Sequence, residues 1–522
     1  MHALARARRT SLALGGLALL CAGALAGCGG GGGAGAAATT APPQPRVFID
    51  LLAALPTELD PADEQGAAFD RLESSLAATL VRPAPPPRSA ATLTPPEEVV
   101  GYLASSWQRL AGGDYVFELR PGVRSAFGHQ LSAADVVFSF RRELALSASA
   151  RLLAAAARIR LADPVTAIAP RRVRVNVTAP STLTLAVLAD FRFGVLDSRA
   201  VLAHSLPGHG GAHAWLATHL AFYSPYELSG FEPGRRLLLR ALAHPWLEPA
   251  YGRVAIEAGS ADALRLADLA GAAASHTSGL GPGAFAAAAQ TSGLLVATLP
   301  STEVSTLVPD ERFAPFASAL VRRALSLALD RSEVARAAFG AFGAPARRPL
   351  PAALALPAGL AEPSYPHDPA LARRLLAAAG YPRGFSFTLA GGAGAERGAI
   401  AGELAAIGVS VVAPATGAGA DAQLLSASAP IASAGLWITS QYLRGAPGNL
   451  EGFDSPALDA LGSALITGTA RTALERALAI IYAQTPVIPL VEVRQQLVSR
   501  TGIEGYAAYA SGAIYYDRLR PS

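Results

Sequence analysis

The segment Tyr115–Arg142, YVFELRPGVRSAFGHQLSAADVVFSFRR, constrains the fold most strongly, because it joins three local signals in one short stretch. Apolar and polar residues alternate along Tyr115–Arg120, as expected for a half-buried β-strand. The Pro121–Gly122 pair then predicts a turn. Ser132, with Asp135 three residues later, predicts a capping box at the start of a helix. We therefore expect strand, turn and capped helix here, with no side chain placed for catalysis.

Helical patterns recur along the rest of the chain and alternate with strands. A helix is predicted after Asp368, which caps it, and Gly380 ends it. Further elements are predicted as helices over Phe69–Leu80, Leu320–Asp330 and Ala473–Ala483, and as a strand over Val47–Ile49. This alternation favours α/β lobes.

The N-terminus has the pattern of a bacterial export signal. Three arginines precede an apolar run that is shorter than the roughly 20 residues needed to cross a bilayer. The run ends at Leu25–Cys28, LAGC, which resembles a lipobox. We expect residues 1–27 to be a lipoprotein signal peptide, Cys28 to carry the lipid, and residues 28–45, rich in Gly, Ala and Pro, to form a flexible tether. An ordinary signal with a chance cysteine is the alternative.

Charge and cysteine content exclude several classes of function. The chain has 43 basic residues, all arginine, against 39 acidic residues, and no basic run or aromatic stripe accompanies them. This balance argues against a nucleic-acid partner. Cys21 and Cys28 are the only cysteines. If Cys21 is removed with the signal and Cys28 is acylated, neither a disulfide nor a catalytic thiol remains.

Motifs for catalysis or metal binding are missing or weak. The sequence contains no HExxH, CxxC, GxxxxGK or GxSxG motif. GGAGAERG, around Gly394, is interpreted as a loop. Four histidines, His204, His209, His213 and His219, lie close together, and the second and third have the i, i+4 spacing of a metal pair. Three glycines beside them disfavour a helix, so we interpret the stretch as a solvated loop. We expect no metal, no cofactor and no catalysis.

Tyr115–Arg142 resembles the most recognisable stretch of the family-5 solute-binding proteins of ABC importers, FxLRxGVxFxDGxxLTAxDVxxSxxR. That family includes the dipeptide, oligopeptide and nickel receptors. The resemblance covers the chain from about Val47 to its end. Further matching motifs follow in the family's order: Leu59–Pro61, Leu103–Trp107, Pro225–Tyr226, His244–Pro245, Pro315–Phe316, Val321–Arg331, Asp368–Tyr381 and Thr485–Leu490.

The resemblance implies an α/β, two-lobed periplasmic-binding-protein fold of class II, with an extra domain in the first lobe. On this basis we expect lobe I to comprise residues 46–75, 170–262 and 488–522, the extra domain residues 76–169, and lobe II residues 263–487. In this family the solute is enclosed between the lobes by hinge closure, and the loaded receptor docks on a membrane permease.

The sequence departs from the family in the stretches that form the cleft. The family's GTGPY loop reads FYSPY at Phe222–Tyr226. Many peptide-binding members carry an Asp in a WxxDY stretch, where it pairs with the ligand's ammonium group. The corresponding register here, Leu424–Trp437, offers no carboxylate. Binding of an ordinary free peptide amino terminus at this stretch is therefore not expected.

The resemblance also suggests which residues contact the solute. Tyr223, Tyr226 and Trp437 are candidates to stack on it, Glu303 to accept from a cationic group, and Thr306 to line the same region. The alternative for Tyr226 and Trp437 is that they are core residues, since large aromatic side chains are usually mostly buried.

The resulting hypothesis is a monomeric, lipid-anchored, extracytoplasmic receptor that delivers a peptide or peptide-like solute to an ABC importer. Its partners would be the solute, the permease and, through the lipid, the membrane. A binding-fold lipoprotein without a transport role, such as a sensor or assembly factor, is the first alternative. A hydrolase is the second, and it requires a nucleophile and base that the sequence does not show.

Overall fold

A computed structural model describes most of the chain after the predicted tether. The described residues are 46–522 apart from 64–65, 87–91, 96–97, 206–210, 244–246, 260, 361–364, 416–418 and 468–470. The predicted signal peptide, the tether and Cys28 lie outside them, as do His209 and the His244–Pro245 motif. Among the described residues, no helix combines the length and the apolar character needed to cross a membrane.

Two large sheets form the centres of two lobes. Lobe I contains a seven-stranded sheet whose strands, in spatial order, are β12 (Leu294–Leu299), β19 (Gln495–Arg500), β11 (His276–Thr277), β1 (Val47–Leu52), β10 (Arg253–Ala258), β9 (Arg236–Ala241) and β8 (Tyr226–Glu232). Lobe II contains a six-stranded sheet in the order β14 (Gly343–Pro345), β18 (Ile488–Val493), β13 (Val304–Pro309), β17 (Ala422–Ala427), β15 (Ser386–Gly391) and β16 (Ser410–Val412).

The extra domain has a sheet of its own. Its four strands are β4 (Ala104–Arg109), β5 (Tyr115–Leu119), β7 (Arg172–Val175) and β6 (Val165–Ala169), in that order. Two small pairs complete the strands: β2 (Val81–Pro83) with β3 (Val99–Gly101), and β20 (Ile503–Glu504) with β21 (Arg520–Pro521).

Helices lie between the strands along the chain. In chain order they are α1 (Ala67–Leu76), α2 (Ala133–Leu146), α3 (Ala148–Ala156), α4 (Thr184–Val187), α5 (Ser198–Ala203), α6 (His213–Leu216), α7 (Asp262–Ala270), α8 (Pro282–Ala289), α9 (Ala319–Ala328), α10 (Arg331–Phe339), α11 (Pro369–Ala378), α12 (Gly394–Ala405), α13 (Ala434–Gln441), α14 (Pro456–Asp459), α15 (Gly462–Thr467) and α16 (Arg471–Gln484). Single 3-10 turns lie at Phe191–Phe193, Ala314–Ala317, Gly340–Phe342 and Tyr516–Arg518.

The local predictions from turns and caps are confirmed. β5 and α2 stand where the strand and the capped helix were expected, and Asp135 Oδ2 accepts hydrogen bonds from the Ser132 N–H (2.8 Å) and hydroxyl (2.7 Å). Asp368 caps α11 by accepting from the N–H of Leu371 at 2.8 Å. The helix predicted over Phe69–Leu80 exists but ends at Leu76.

The prediction of a loop around Gly394 is wrong. β15 ends at Gly391, and Gly391 and Gly392 turn the chain with φ of +77° and +62°. α12 then starts at Gly394, and its Ile400 and Leu404 are buried in the core of lobe II. The helix therefore forms although its sequence pattern is weak, because its apolar residues pack in the core of lobe II.

Strand pairing gives the lobes limits that differ from the predicted ones. β11 and β12, within the residues 263–487 assigned to lobe II, pair in the sheet of lobe I. β18, assigned to lobe I, pairs with β13 and β14 in lobe II. β7, also assigned to lobe I, pairs with β5 and β6 in the sheet of the extra domain. The chain therefore passes between the sheets after Leu299 and again after Val493. The predicted limits differ because they followed the positions of motifs, whereas the pairing of strands defines each lobe.

Candidate functional site

Two neighbouring chain segments connect the lobes, and we refer to this pair of connections as the hinge. One joins β12 to β13, and the other joins β18 to β19. Because β12 pairs with β19 and β13 with β18, the two connections lie side by side. The N–H of Val493 donates to the carbonyl of Glu303 at 2.9 Å, which ties one connection to the other.

A cavity of about 340 Å³ lies at this hinge, and we call it the hinge cavity. Its walls come from the end of β1, from α1, from α10 and from both connections. A volume of this size is typical of small-molecule sites. The acidic and basic side chains that line it are Asp50, Arg71, His276, Glu303 and Arg494.

Glu303 and Arg71 give the hinge cavity one acidic and one basic group. Burial raises the pKa of Glu303, while the charge of Arg71 and a hydrogen bond with Ser426 oppose that shift. The Nε of Arg71 is buried and has no hydrogen-bond partner among the described residues. Gly512 allows this position, because a Cβ there would stand 3.1 Å from Arg71 Nε. The cavity therefore holds a desolvated carboxylate and an incompletely bonded guanidinium.

A buried network forms another wall. His276 Nδ1 lies 2.7 Å from Asp50 Oδ1, and the Tyr516 hydroxyl donates to Asp50 Oδ2 at 2.8 Å. Asp50 and His276 are each about 1% exposed. Burial, followed by the charge of Asp50, raises the pKa of Tyr516, which keeps this hydroxyl a donor. The network fixes the end of β1 against β11 and presents polar groups to the cavity.

The structure separates the five residues predicted to contact the solute. Glu303 alone lines the hinge cavity. Thr306 and Trp437 line a separate depression on lobe II, and Tyr223 and Tyr226 are buried in the cores of the extra domain and lobe I.

The aromatic side chains have partners that fit a core position. Trp437 Nε1 donates to the carbonyl of Pro349 at 3.2 Å, and the Tyr226 hydroxyl donates to the carbonyl of Tyr251 at 3.1 Å. Tyr223 is inaccessible to solvent, and its hydroxyl lies 3.5 Å from the carbonyl of Gln130. Tyr226 and Trp437 thus lie in core positions, which was the alternative interpretation of these two residues.

The lobes also meet on the other side of the segment 508–515, around a smaller cavity of about 50 Å³. Ile431 and Leu436 of lobe II belong to the same buried apolar cluster as the extra domain's core. The N–H of Leu93 donates to the carbonyl of Ala353 across the interface at 3.0 Å. The stretch Leu424–Trp437 therefore contributes apolar packing, not a carboxylate, to the contact between the lobes.

Sequence reasoning missed Arg71, Asp50 and His276. Arg71 lies in a correctly predicted helix, but the helical pattern does not say which neighbour its polar face meets. His276 lies on a two-residue strand that has no recognisable pattern. Only Asp50 had a signal, since it follows the predicted strand Val47–Ile49 at the edge where binding sites of α/β sheets form.

Comparisons with known proteins agree with this architecture. The family model described as "Bacterial extracellular solute-binding proteins, family 5 Middle" matches residues 98–416, more than half of the chain. The glutathione-binding protein GsiB of Shigella flexneri is 40% identical over 75 residues, which are 14% of this chain and 15% of that protein. The chain thus matches about a seventh of this relative's length.

Two solved structures share the fold over almost their whole length. The ABC transporter-associated periplasmic binding protein DppA from Helicobacter pylori, in complex with the peptide STSA, is 19% identical with a TM-score of 0.77, covering 91% of this chain and 98% of that one. A dipeptide-binding protein from Pseudoalteromonas sp. SM9913, in complex with Met-Leu, is 20% identical with a TM-score of 0.76, covering 91% and 100%. With the family match across its middle, this chain belongs to the family-5 bacterial extracellular solute-binding proteins.

Proposed function

We propose that this chain is an extracytoplasmic receptor that binds a small peptide-like solute between its lobes and delivers it to an ABC permease. The observation that carries the proposal is the hinge cavity, which is bounded by both lobes and contains Glu303 and Arg71. Family membership supports the receptor role.

We further propose that the solute is a small zwitterion, of about the size of a dipeptide or a modified amino acid. Glu303 would accept from its ammonium group, in place of the Asp that Leu424–Trp437 lacks. Arg71, which lines the cavity, would donate from its guanidinium to the carboxylate, since guanidinium–carboxylate bonds are among the strongest in proteins. The cavity volume of about 340 Å³ fits a solute of this size.

Binding is proposed to couple to hinge closure. The contacts of Ile431 and Leu436 with the extra domain join the lobes on the other side of the segment 508–515 from the hinge cavity. Enclosure removes water from the charged pair, which strengthens its electrostatic interactions with the solute. The closed receptor would then present surfaces of both lobes to the permease.

The first experiment is native mass spectrometry on the full chain, purified gently from its own host. A retained small molecule that is lost on denaturation supports the receptor role and identifies the solute. If no molecule is retained, calorimetry with a panel of dipeptides and of their N-acetylated and C-amidated forms follows. Binding that requires both charged ends supports the zwitterion proposal, whereas no binding by any compound favours the lipoprotein without a transport role.

Glu303→Gln tests the acidic subsite directly. Loss of a charge-assisted hydrogen bond of about 1.5–3 kcal/mol is expected to weaken solute binding by roughly tenfold or more. Glu333→Gln is the matched control, because Glu333 makes an exposed pair with Arg336 away from the cavity. Equal affinity of both variants and wild type would contradict the role of Glu303.

Cys28→Ser tests the proposed anchor separately. Removal of the acylated thiol is expected to release the protein from sedimented membranes into the soluble fraction. If the variant still sediments with membranes, the lipid at Cys28 is not what holds the protein there.

A further inference from the structure

We propose that lobe I carries a binding site for one divalent transition-metal ion, formed by Glu58, Asp63 and His213. Each residue offers one ligand atom, and these atoms lie within 4.8 Å of one another. They come from two separate segments, the loop between β1 and α1 and the first residue of α6. None of the three lines the hinge cavity, so this site is independent of the proposed solute site.

The orientation of His213 is fixed from behind by a carboxylate. Its Nδ1 lies 2.9 Å from Asp60 Oδ2. Asp60 is fully buried and receives two hydrogen bonds from Arg142, at 2.9 and 2.5 Å, so it remains an acceptor. The proton of the neutral imidazole is therefore placed on Nδ1, and Nε2 is left with its lone pair. A carboxylate–histidine pair of this kind orients histidines that bind metals in proteins.

Among the described residues, Glu58 and Asp63 have His213 as their basic partner, and Asp63 also makes a side-chain hydrogen bond with Glu58. His213 Nε2 lies 3.8 Å from Glu58 Oε2, and Asp63 Oδ1 lies 3.6 Å from His213 Nδ1. Asp63 Oδ2 is buried and has no hydrogen-bond partner among the described residues. The separation of His213 Nε2 and Glu58 Oε2 is too long for a hydrogen bond and leaves room for a cation between them. Asp63 lies toward the Nδ1 side of the ring and would complete the site through its unbonded oxygen.

A further buried carboxyl group, that of Glu73 on α1, lies close to the site. Neither of its oxygens has a hydrogen-bond partner among the described residues. Behind His213, Arg142 pairs with Asp60. The negative charge that a bound dication would offset is therefore that of its own ligands, Glu58 and Asp63.

The ligand set indicates which ions fit. One imidazole nitrogen and two carboxylate oxygens suit Zn²⁺, Co²⁺ or Ni²⁺, whereas Mg²⁺ and Ca²⁺ prefer oxygen ligands alone. Glu58 and His213 are about half exposed, so the ion has access from solvent and room for water ligands. A bound ion would link the β1–α1 loop to α6 and thus stabilise lobe I.

The test uses the full chain, made without a histidine tag, with its thiols alkylated and its metals removed by a chelator. Zn²⁺ binding is measured by equilibrium dialysis with elemental analysis, and Co²⁺ binding by its visible absorption. We expect one ion per chain for wild type, and about tenfold or greater weakening for Glu58→Gln and for His213→Gln. Circular dichroism verifies that both variants fold.

His219→Gln is the matched control, because His219 lies on the same segment but stacks on Trp215. It is expected to bind Zn²⁺ as wild type does. Unchanged stoichiometry and affinity in both ligand variants would overturn the proposal, as would the absence of any bound ion in wild type. Loss of binding in His219→Gln but not in Glu58→Gln would place the ion elsewhere and also overturn it.

Discussion

Gly512 controls the position of Arg71 at the hinge cavity. Its φ is +70°, and a Cβ at this position would press on Arg71 Nε at 3.1 Å. Gly452 has a similar φ of +79° but no atom within 4 Å of such a Cβ. Alanine at either position is expected to cost about 1 kcal/mol of stability through backbone strain. Only Gly512→Ala should also weaken solute binding, as calorimetry with the identified solute would show. Equal loss of affinity in the two variants would mean that the Arg71 contact does not matter.

Glu143 makes stability depend on pH in an unusual direction. Burial raises its pKa to about 8, against the opposing charge of Arg142. Between its unfolded value, near 4.5, and about 8, the folded protein binds more protons than the unfolded chain, so stability falls as pH rises through this window. Glu143→Gln is expected to remove this pH dependence, because glutamine does not titrate. The stability of the variant relative to wild type should therefore be higher at pH 8 than at pH 5. Urea unfolding at both pH values measures this, with the exposed Glu333→Gln as the control. An unchanged pH dependence would contradict it.

Residue positions were predictable from the sequence only where a motif fixed them. Glu303 was placed near the lobe crossover by resemblance and does line the hinge cavity. Tyr226 matches a family motif and Trp437 ends a stretch that departs from one, but a motif can contain a core aromatic as readily as a binding one, and both residues are buried. Arg71 could not be foreseen, because its environment is created by Gly512 and Glu303, which lie hundreds of residues away in the chain.

At the level of elements, Asp135 does more than cap α2. Its second oxygen accepts from the N–H and the hydroxyl of Ser198, at 3.0 and 2.6 Å, so it also holds the start of α5. Asp135→Ala is expected to cost about 3 kcal/mol or more, since four bonds to a buried carboxylate are lost. Asp368→Ala, which removes one ordinary cap bond, should cost about 1 kcal/mol. Urea midpoints compare the two variants, and equal shifts would show that Asp135 acts as a cap alone.

Elements with complete local signals were predictable, and those that depend on pairing were not. α2 and α11 have caps, turns and apolar faces that are readable in sequence. β11 has two residues, and it exists because β1 and β19 offer hydrogen-bonding edges on both sides. The predicted lobe boundary therefore failed at β11 and β12, although the order of motifs predicted the two-lobed fold.

At the level of the whole molecule, Ile431 tests whether the lobes must meet for the solute to be held. It is 4% exposed and packs in the cluster that joins lobe II to the extra domain. Ile431→Asp places a charge in that apolar contact, which is costly to bury without a partner. We expect a larger radius of gyration by small-angle scattering and weaker solute binding, with secondary structure unchanged.

Ile168→Asp is the control for Ile431→Asp, because Ile168 is half exposed on the extra domain's sheet. It should scatter and bind as wild type does. The two readouts separate closure from direct contact, since Ile431 does not line the hinge cavity. If Ile431→Asp opens the lobes yet binds the solute with full affinity, the hinge cavity holds its solute without closure of the lobes. Delivery to the permease would then depend on closure, and binding would not.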